Sequence, residues 1–250
     1  MRSRMLQLYC LEGGGTVSKG IILDMIKALI FDFDGLILDT ETPDLQSWME
    51  IYSEYGVSFP ASSWMTAVGG SRDLFDPCKH LESQLNQPIA MDEILAERRR
   101  RDNELLRAQH PLPGVEKCID DASTRGLMLG VASSASRGWV IPHLSRIGLS
   151  PHFHCIKCGD DVSHVKPAPE LYQAVLLELG VLASEAIAFE DSPNGVAAAG
   201  QAGIYCVAVP NAVTSQLSLD EADLRIESLA DLSLDDLLQC VHRGAGNRKR

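Results

Sequence analysis

The second half of this chain alternates strand-like and helix-like segments, and that alternation leaves few folds open. Apolar strand candidates at Leu127 to Ser133, Phe153 to Ile156, Ala186 to Phe189 and Ile204 to Val209 are separated by helical candidates at Arg137 to Ile147, Pro169 to Leu179 and Pro193 to Ala202. Such repetition folds as a doubly wound, largely parallel α/β sheet. Asp223 to Glu227 adds a short final strand candidate, and Leu234 to Val241 a closing helix. Ligands of these sheets sit beyond the carboxyl ends of the strands, so the chemistry should be found there.

An earlier apolar run, Lys27 to Phe31, ends in Asp32-Phe33-Asp34-Gly35. On an extended backbone Asp32 and Asp34 share a face while Phe33 turns into the packing. Like charges this close repel unless a cation lies between them or one keeps its proton. Alone, such a pair also suits a helix cap or a structural Ca²⁺ site. As chemistry it offers a nucleophile, an acid/base and a Mg²⁺ site. Gly35 lets the chain leave the strand sharply, and Thr40-Glu41 leads into helical sequence.

Three later segments carry polar groups of the same kind. Val131-Ala132-Ser133-Ser134 delivers hydroxyls that could also cap a helix. Val165-Lys166-Pro167-Ala168-Pro169-Glu170 holds one lysine in a frame stiffened by prolines, although a lone lysine is ordinarily a surface charge. Phe189-Glu190-Asp191-Ser192-Pro193-Asn194-Gly195 ends an apolar strand with two acids, which would also favour the next helix's N-terminus.

Between the first strand and these pieces the sequence is helical. Leu45, Trp48, Met49, Ile51 and Tyr52 mark one face of a helix from Asp44 to Tyr55, ended by Gly56, and helical periodicity without a strong strand continues to Gln109. In Arg98 to Arg101, Glu97 with Arg101 and Arg100 with Glu104 stand at i,i+4, which predicts a solvated, salt-bridged face. His110-Pro111-Leu112-Pro113-Gly114 then breaks the pattern as a hinge would.

In this order, Phe31 to Glu41, Ser133, Lys166 and Glu190-Asp191 resemble the haloacid dehalogenase superfamily of phosphohydrolases, in the type with a small all-α cap after the first strand. The resemblance covers roughly residues 26–240. It implies an α/β core from residues 25–42 and 111–241 and a helical cap at 43–110. It also implies that Asp32 attacks phosphorus to form an aspartyl-phosphate and that Asp34 acts as acid and then base. Ser133 and Lys166, with Ser134 beside them, would surround the phosphoryl group, and Asp32, the Asp34 carbonyl, Asp191 and Glu190 would hold Mg²⁺. Superfamily dehalogenases lack the second aspartate, so Asp34 argues against halide chemistry.

Gly70-Ser71-Arg72-Asp73 resembles the β-phosphoglucomutase segment whose arginine holds the non-reacting phosphate, which points to a sugar phosphate with Arg72 as a substrate ligand. A surface or interdomain salt bridge is the plainer role for Arg72. Where those mutases carry a hinge histidine this chain has Asp44, which favours hydrolysis over mutase turnover. Trp48, Tyr52, Trp64 and Lys79 are further candidates to line the cap side. A catalytically silent relative would be expected to have lost Asp32 or Asp34, and both are present.

A formal net charge of -12 argues against nucleic acid, which is recognised through clustered Lys and Arg. The expected partner is a small phosphorylated metabolite, bound by a monomer. Seven scattered cysteines do not form a disulfide framework and suggest the cytoplasm. No apolar run reaches the ~20 residues that cross a membrane. Residues 1–24 are expected to be a disordered extension and 242–250 a disordered basic tail. His152, His154, Cys155, Cys158 and His164 have zinc-like spacing, but a strand there would turn neighbours to opposite faces, so ordinary packing is expected.

Overall fold

A computed structural model describes residues 26–68 and 75–247. The leader at 1–24 and the segment Gly70-Ser71-Arg72-Asp73 lie outside the described residues. In chain order the elements are β1 (Ala28–Phe31), α1 (Glu41–Glu54), α2 (Ala61–Val68), α3 (Pro77–Leu85), α4 (Met91–Arg107), α5 (Val115–Thr124), β2 (Met128–Ala132), α6 (Arg137–Arg146), β3 (Cys155–Lys157), α7 (Glu170–Leu179), β4 (Ala186–Glu190), α8 (Pro193–Gln201), β5 (Tyr205–Ala208), β6 (Leu224–Arg225) and α9 (Leu234–Asn247).

The strands form one six-stranded parallel sheet in the order β3-β2-β1-β4-β5-β6. From β1 the chain builds outward through β2 and β3, then returns to β1's other side for β4. The order therefore reverses between β1 and β4, where doubly wound sheets open a crevice for ligand. In the register Phe31 pairs with Phe189 and with Val131, so Asp32 stands beside Glu190, one step from Ser133.

Strand alternation sorts the two faces. Leu29, Phe31, Val131, Ile187, Phe189 and Val207 point to one side, under Val115 and Ile119 of α5, Val140 and Leu144 of α6, and Leu234 and Leu237 of α9. Phe31 and Phe189 stack there with ring centroids 4.8 Å apart. Ala28, Ile30, Ala186, Ala188 and Ala208 pave the other side, where α7 and α8 pack through Leu171, Tyr172, Val175, Val196 and Ala199. Asp32 continues the Ala28–Ile30 series and Glu190 the Ala186–Ala188 series. Both carboxylates therefore leave the sheet toward α7.

The helical segment has its own core of Trp48, Ile51, Tyr52, Trp64, Cys78, Leu81 and Ile94, joined by Val213 from the loop after β5. Leu38 bridges Pro111, and the Leu112 N–H donates to Ile37 O at 2.9 Å, so the crossings into and out of this segment run side by side. No helix among the described residues is long and apolar enough to cross a membrane.

Several expectations need correction. Helix α1 starts at Glu41 and not at Asp44, so Thr42-Pro43 lies in its first turn. Asp39 accepts the Thr42 N–H at 2.9 Å, and proline is tolerated in a first turn. Helix α5 was not anticipated, although Val115, Cys118, Ile119 and Ala122 form a buried i, i+3, i+4, i+7 stripe. Helix α9 runs to Asn247, six residues past Val241 and into the expected tail.

The arginine run is no simple solvated face. Arg100 pairs with Glu97 and Glu104 on the surface, but Arg101 also reaches Glu54 of α1 at 2.6 Å and Arg98 pairs with Asp44. Two of the four arginines thus clamp α4 to α1. Among the described residues Arg99 alone of the four makes no ion pair; its Nε donates to Leu95 O.

Candidate active site

A cavity of about 410 Å³ opens at the β1–β4 crevice, its walls including Asp32, Asp34, Ser134, Lys166 and Asp191. Lys166 approaches from the loop before α7, its side chain 5 % exposed, with Nζ 2.7 Å from Asp32 Oδ1 and 2.6 Å from Glu190 Oε1. Burial opposes the ammonium charge, but the two carboxylates outweigh it and hold the lysine above its ordinary range. The Tyr172 hydroxyl donates to Glu190 Oε1 at 2.5 Å, and the ammonium lies 5.3 Å from the centre of its ring.

Asp34 is held quite differently. Its Oδ1 accepts the indole N–H of Trp139 at 2.8 Å, and Oδ2 lies 3.3 Å from Ser133 Oγ. Burial, then the neighbouring Asp32 charge, push its pKa up to about 6, while hydrogen bonds from Trp139, Thr40 and Ser133 pull the other way. Two aspartates one residue apart are thereby separated in character, one paired with a buried cation and the other held by neutral donors.

Asp32, Glu190 and Asp191 each present a carboxylate oxygen within 4.8 Å of the others, all three buried. Burial and then its carboxylate neighbours raise Asp191 well above the ordinary range; burial also raises Glu190, against the pull of Lys166. Glu190 Oε2 is buried without a hydrogen-bond partner among the described residues. One lysine among four carboxylates leaves an unbalanced negative charge and an all-oxygen donor set, which suits a hard divalent cation.

Backbone shape makes this density of acids possible. Gly35 has φ of +75°, and a Cβ there would lie 2.4 Å from Asp191 Oδ2 and 2.6 Å from Asn211 Nδ2. At Gly195 a Cβ would fall 1.8 Å from Glu190 Oε2, so the start of α8 must lack a side chain to admit that carboxylate. Asn211 Nδ2 donates to Asp191 Oδ2 at 2.9 Å and to Gly35 O at 3.0 Å, tying the loop after β5 to the loop after β1.

The structure therefore gathers Asp32, Asp34, Ser133, Ser134, Lys166, Glu190 and Asp191 at one sheet edge. Arg72 is outside the described residues. Tyr52, Trp48 and Trp64 pack in the helical core, and Lys79 is exposed and paired with Asp76. Trp139, Tyr172 and Asn211 were missed by sequence reasoning. Asn211 had a usable signal, because Val209-Pro210-Asn211 ends a strand at the same edge; Trp139 and Tyr172 had none apart from their helices.

A second cavity of about 380 Å³ adjoins the first, sharing Asp34, Glu41 and Ala135 and reaching Arg99, Asn103 and Trp139. The histidine–cysteine cluster forms no site. Cys155 and Cys158 pack in the cores on opposite sides of the sheet, His154 Nδ1 accepts the Leu129 N–H, and His164 pairs with Glu170.

Residues 29–209 match the profile of the haloacid dehalogenase-like hydrolases. YhcW of Bacillus subtilis (strain 168), whose name marks it as a candidate phosphatase, is 45% identical over 214 residues, 86% of this chain and 97% of that protein. The phosphorylated carbohydrates phosphatase of Thermotoga maritima is 30% identical over 184 residues, 72% of this chain and 82% of that one. Among solved structures, a candidate β-phosphoglucomutase from Thermotoga maritima superposes with a TM-score of 0.70 at 25% identity, over 82% of this chain and 96% of the other. A CbbY variant from Rhodobacter sphaeroides, crystallised with xylulose-(1,5)bisphosphate, gives 0.64 at 26% identity over 85% and 99%. This chain belongs to the haloacid dehalogenase-like hydrolase family and is an enzyme of its phosphatase type.

Proposed function

We propose that the chain is a Mg²⁺-dependent phosphatase of small phosphorylated carbohydrates that works through an aspartyl-phosphate. The observation that carries this is the division between Asp32, salt-bridged to Lys166, and Asp34, held by Trp139 and Ser133 in the same cavity. Carboxylates whose surroundings differ in this way divide into nucleophile and acid. An oxygen of Asp32 attacks phosphorus in line as the bond to the leaving oxygen breaks, and Asp34 gives that oxygen its proton. Asp34 then takes a proton from water as it attacks the aspartyl-phosphate, releasing phosphate and restoring Asp32. Lys166 and the Ser133 hydroxyl offset charge on the phosphoryl oxygens, with Ser134 at the cavity wall.

The acidic cluster fits Mg²⁺, with Asp32, Asp191 and the Asp34 carbonyl as holders and Glu190 behind them. When bound, the ion supplies electrostatic stabilisation of the phosphoryl oxygens. The second cavity lies on the Asp34 side, where a leaving alcohol would depart, and its Arg99 and Asn103 suit a hydroxylated or second anionic group. The names of the relatives support a phosphorylated carbohydrate. A monomer in the cytoplasm belongs to the same proposal; Cys118, Cys155 and Cys158 are free thiols, while Cys240 is in a disulfide.

Hydrolysis is favoured over mutase turnover by Asp44. At the position where the mutases carry their hinge histidine, this carboxylate is engaged with Arg98. The test is phosphate release with Mg²⁺ across sugar phosphates, nucleotides and phosphoglycolate, including β-glucose 1-phosphate with a bisphosphate primer. Release from sugar phosphates, lost in Asp32→Asn, is expected. Isomerisation without release would make the enzyme a mutase, and activity surviving in Asp32→Asn would remove the nucleophile.

A further inference from the structure

We propose that Trp139 is a positioning residue for Asp34, holding one carboxylate oxygen so that the other faces the departing group; this rests on Asp34 being the acid. Oδ1 accepts the indole N–H at 2.8 Å, Oδ2 lies 3.3 Å from Ser133 Oγ, and Thr40 also hydrogen-bonds the carboxylate. An indole N–H donates and cannot accept. It can neither take nor relay a proton, so its one contribution is to fix Oδ1 as an acceptor. The oxygen left to carry a transferable proton is Oδ2, and the two contacts on different oxygens oppose rotation of the carboxyl group.

The indole is itself anchored. Trp139 lies in the first turn of α6, whose Val140 and Leu144 are fully buried, and its ring packs on His143 one turn later with centroids 4.4 Å apart. The ring also walls the second cavity, together with Asp34, Thr40, Ser136, Arg99 and Asn103. The group that orients the acid thus also bounds the space for the alcohol that receives the proton.

A positioning role leaves a signature that general loosening does not. A phenolate with a low pKa leaves without a proton, whereas an alkoxide needs one. The assay compares kcat/KM for p-nitrophenyl phosphate and for a sugar phosphate, with Mg²⁺, in wild type, Trp139→Phe and Asp34→Asn. kcat/KM reports steps only through the first phosphoryl transfer, so the later role of Asp34 as base does not enter. Misfolded enzyme lowers both values equally, which leaves their ratio intact in a poorly folding variant.

Trp139→Phe keeps a ring against His143 and removes the donor. It should lower the sugar phosphate value relative to the aryl value by about tenfold, the scale of one hydrogen bond to a charged group. Asp34→Asn should shift the same ratio further, by roughly 10²-fold or more. A shift in Asp34→Asn with none in Trp139→Phe overturns the positioning role alone. No shift in Asp34→Asn overturns the acid assignment, and Trp139's role falls with it.

Discussion

Lys166 stands almost wholly buried between two carboxylates, so its removal tests how the site is held together. Its Nζ lies 2.7 Å from Asp32 and 2.6 Å from Glu190, and Glu190 is fully buried. Lys166→Met keeps most of the side-chain volume and leaves both acids facing each other without a cation. Breaking a buried pair by removing one partner costs about 3–5 kcal/mol. At about 2–4 °C per kcal/mol for a chain of this size, the melting temperature should fall by roughly 6–20 °C in chelator at pH 8. Glu190 already has a raised pKa, and without the lysine it rises further. An acid whose folded pKa lies above its unfolded value is most stabilising when protonated, so the deficit should shrink as pH falls from 8 toward 5. Adding Glu190→Gln should recover a large part of the lost stability at pH 8 and none of the activity. Thermal melts at both pH values, with phosphate release beside them, decide the matter. A Lys166→Met protein that melts with wild type would refute the claim that the lysine is the cation on which the buried acids depend.

Gly35→Ala places a methyl 2.4 Å from Asp191 Oδ2 on a backbone with φ of +75°; strain of about 1–2 kcal/mol and a several-fold higher Mg²⁺ concentration for half-maximal activity are expected, read by melts and by Mg²⁺ titration of activity. Asp102 in α4 is pushed up to about 6, chiefly by burial and against the pull of Arg98, so it favours the fold while protonated and loses that advantage as pH rises from about 4 through 6. Asp102→Asn should therefore gain stability relative to wild type between pH 5 and pH 8, by about 1 kcal/mol; denaturant melts at the two pH values check it. Arg98→Ala leaves Asp44 and Asp102 facing each other and should lower stability by about 1–3 kcal/mol, more than Arg100→Ala, whose partners are exposed.

What the sequence disclosed and what it hid divide along physical lines. Asp32, Ser133 and Glu190 could be found because a parallel sheet sends each strand end to one edge, so a polar residue closing an apolar run has a knowable destination. Period 2 even assigns the face: Ala28 and Ile30 predict Asp32's side, and Ala186 and Ala188 predict that of Glu190. Lys166 was legible because prolines frame it. Trp139 and Tyr172 lie on helices, where the residues that meet the site depend on how far each helix is rotated about its axis. Nothing local sets that rotation; the packing of Val140 and Leu144, or of Leu171 and Val175, does.

The arginine run shows the same limit from the other side. Spacing along one helix correctly joined Arg101 to Glu97 and Arg100 to Glu104, because i,i+4 neighbours meet whatever the rest of the chain does. It was silent about Asp44 and Glu54, which lie about fifty residues earlier and reach Arg98 and Arg101 only because Trp48, Ile51 and Ile94 bring α1 and α4 together. That packing has a consequence for chemistry. By engaging Arg98 and Arg101, α1 leaves Arg99 as the arginine of the run that faces the cavity beside Asp34 without a carboxylate partner among the described residues. The strand-end residues can thus be inferred from the sequence, while the helical wall of the cavity beside Asp34 depends on helix–helix contacts that the sequence encodes only through the fold.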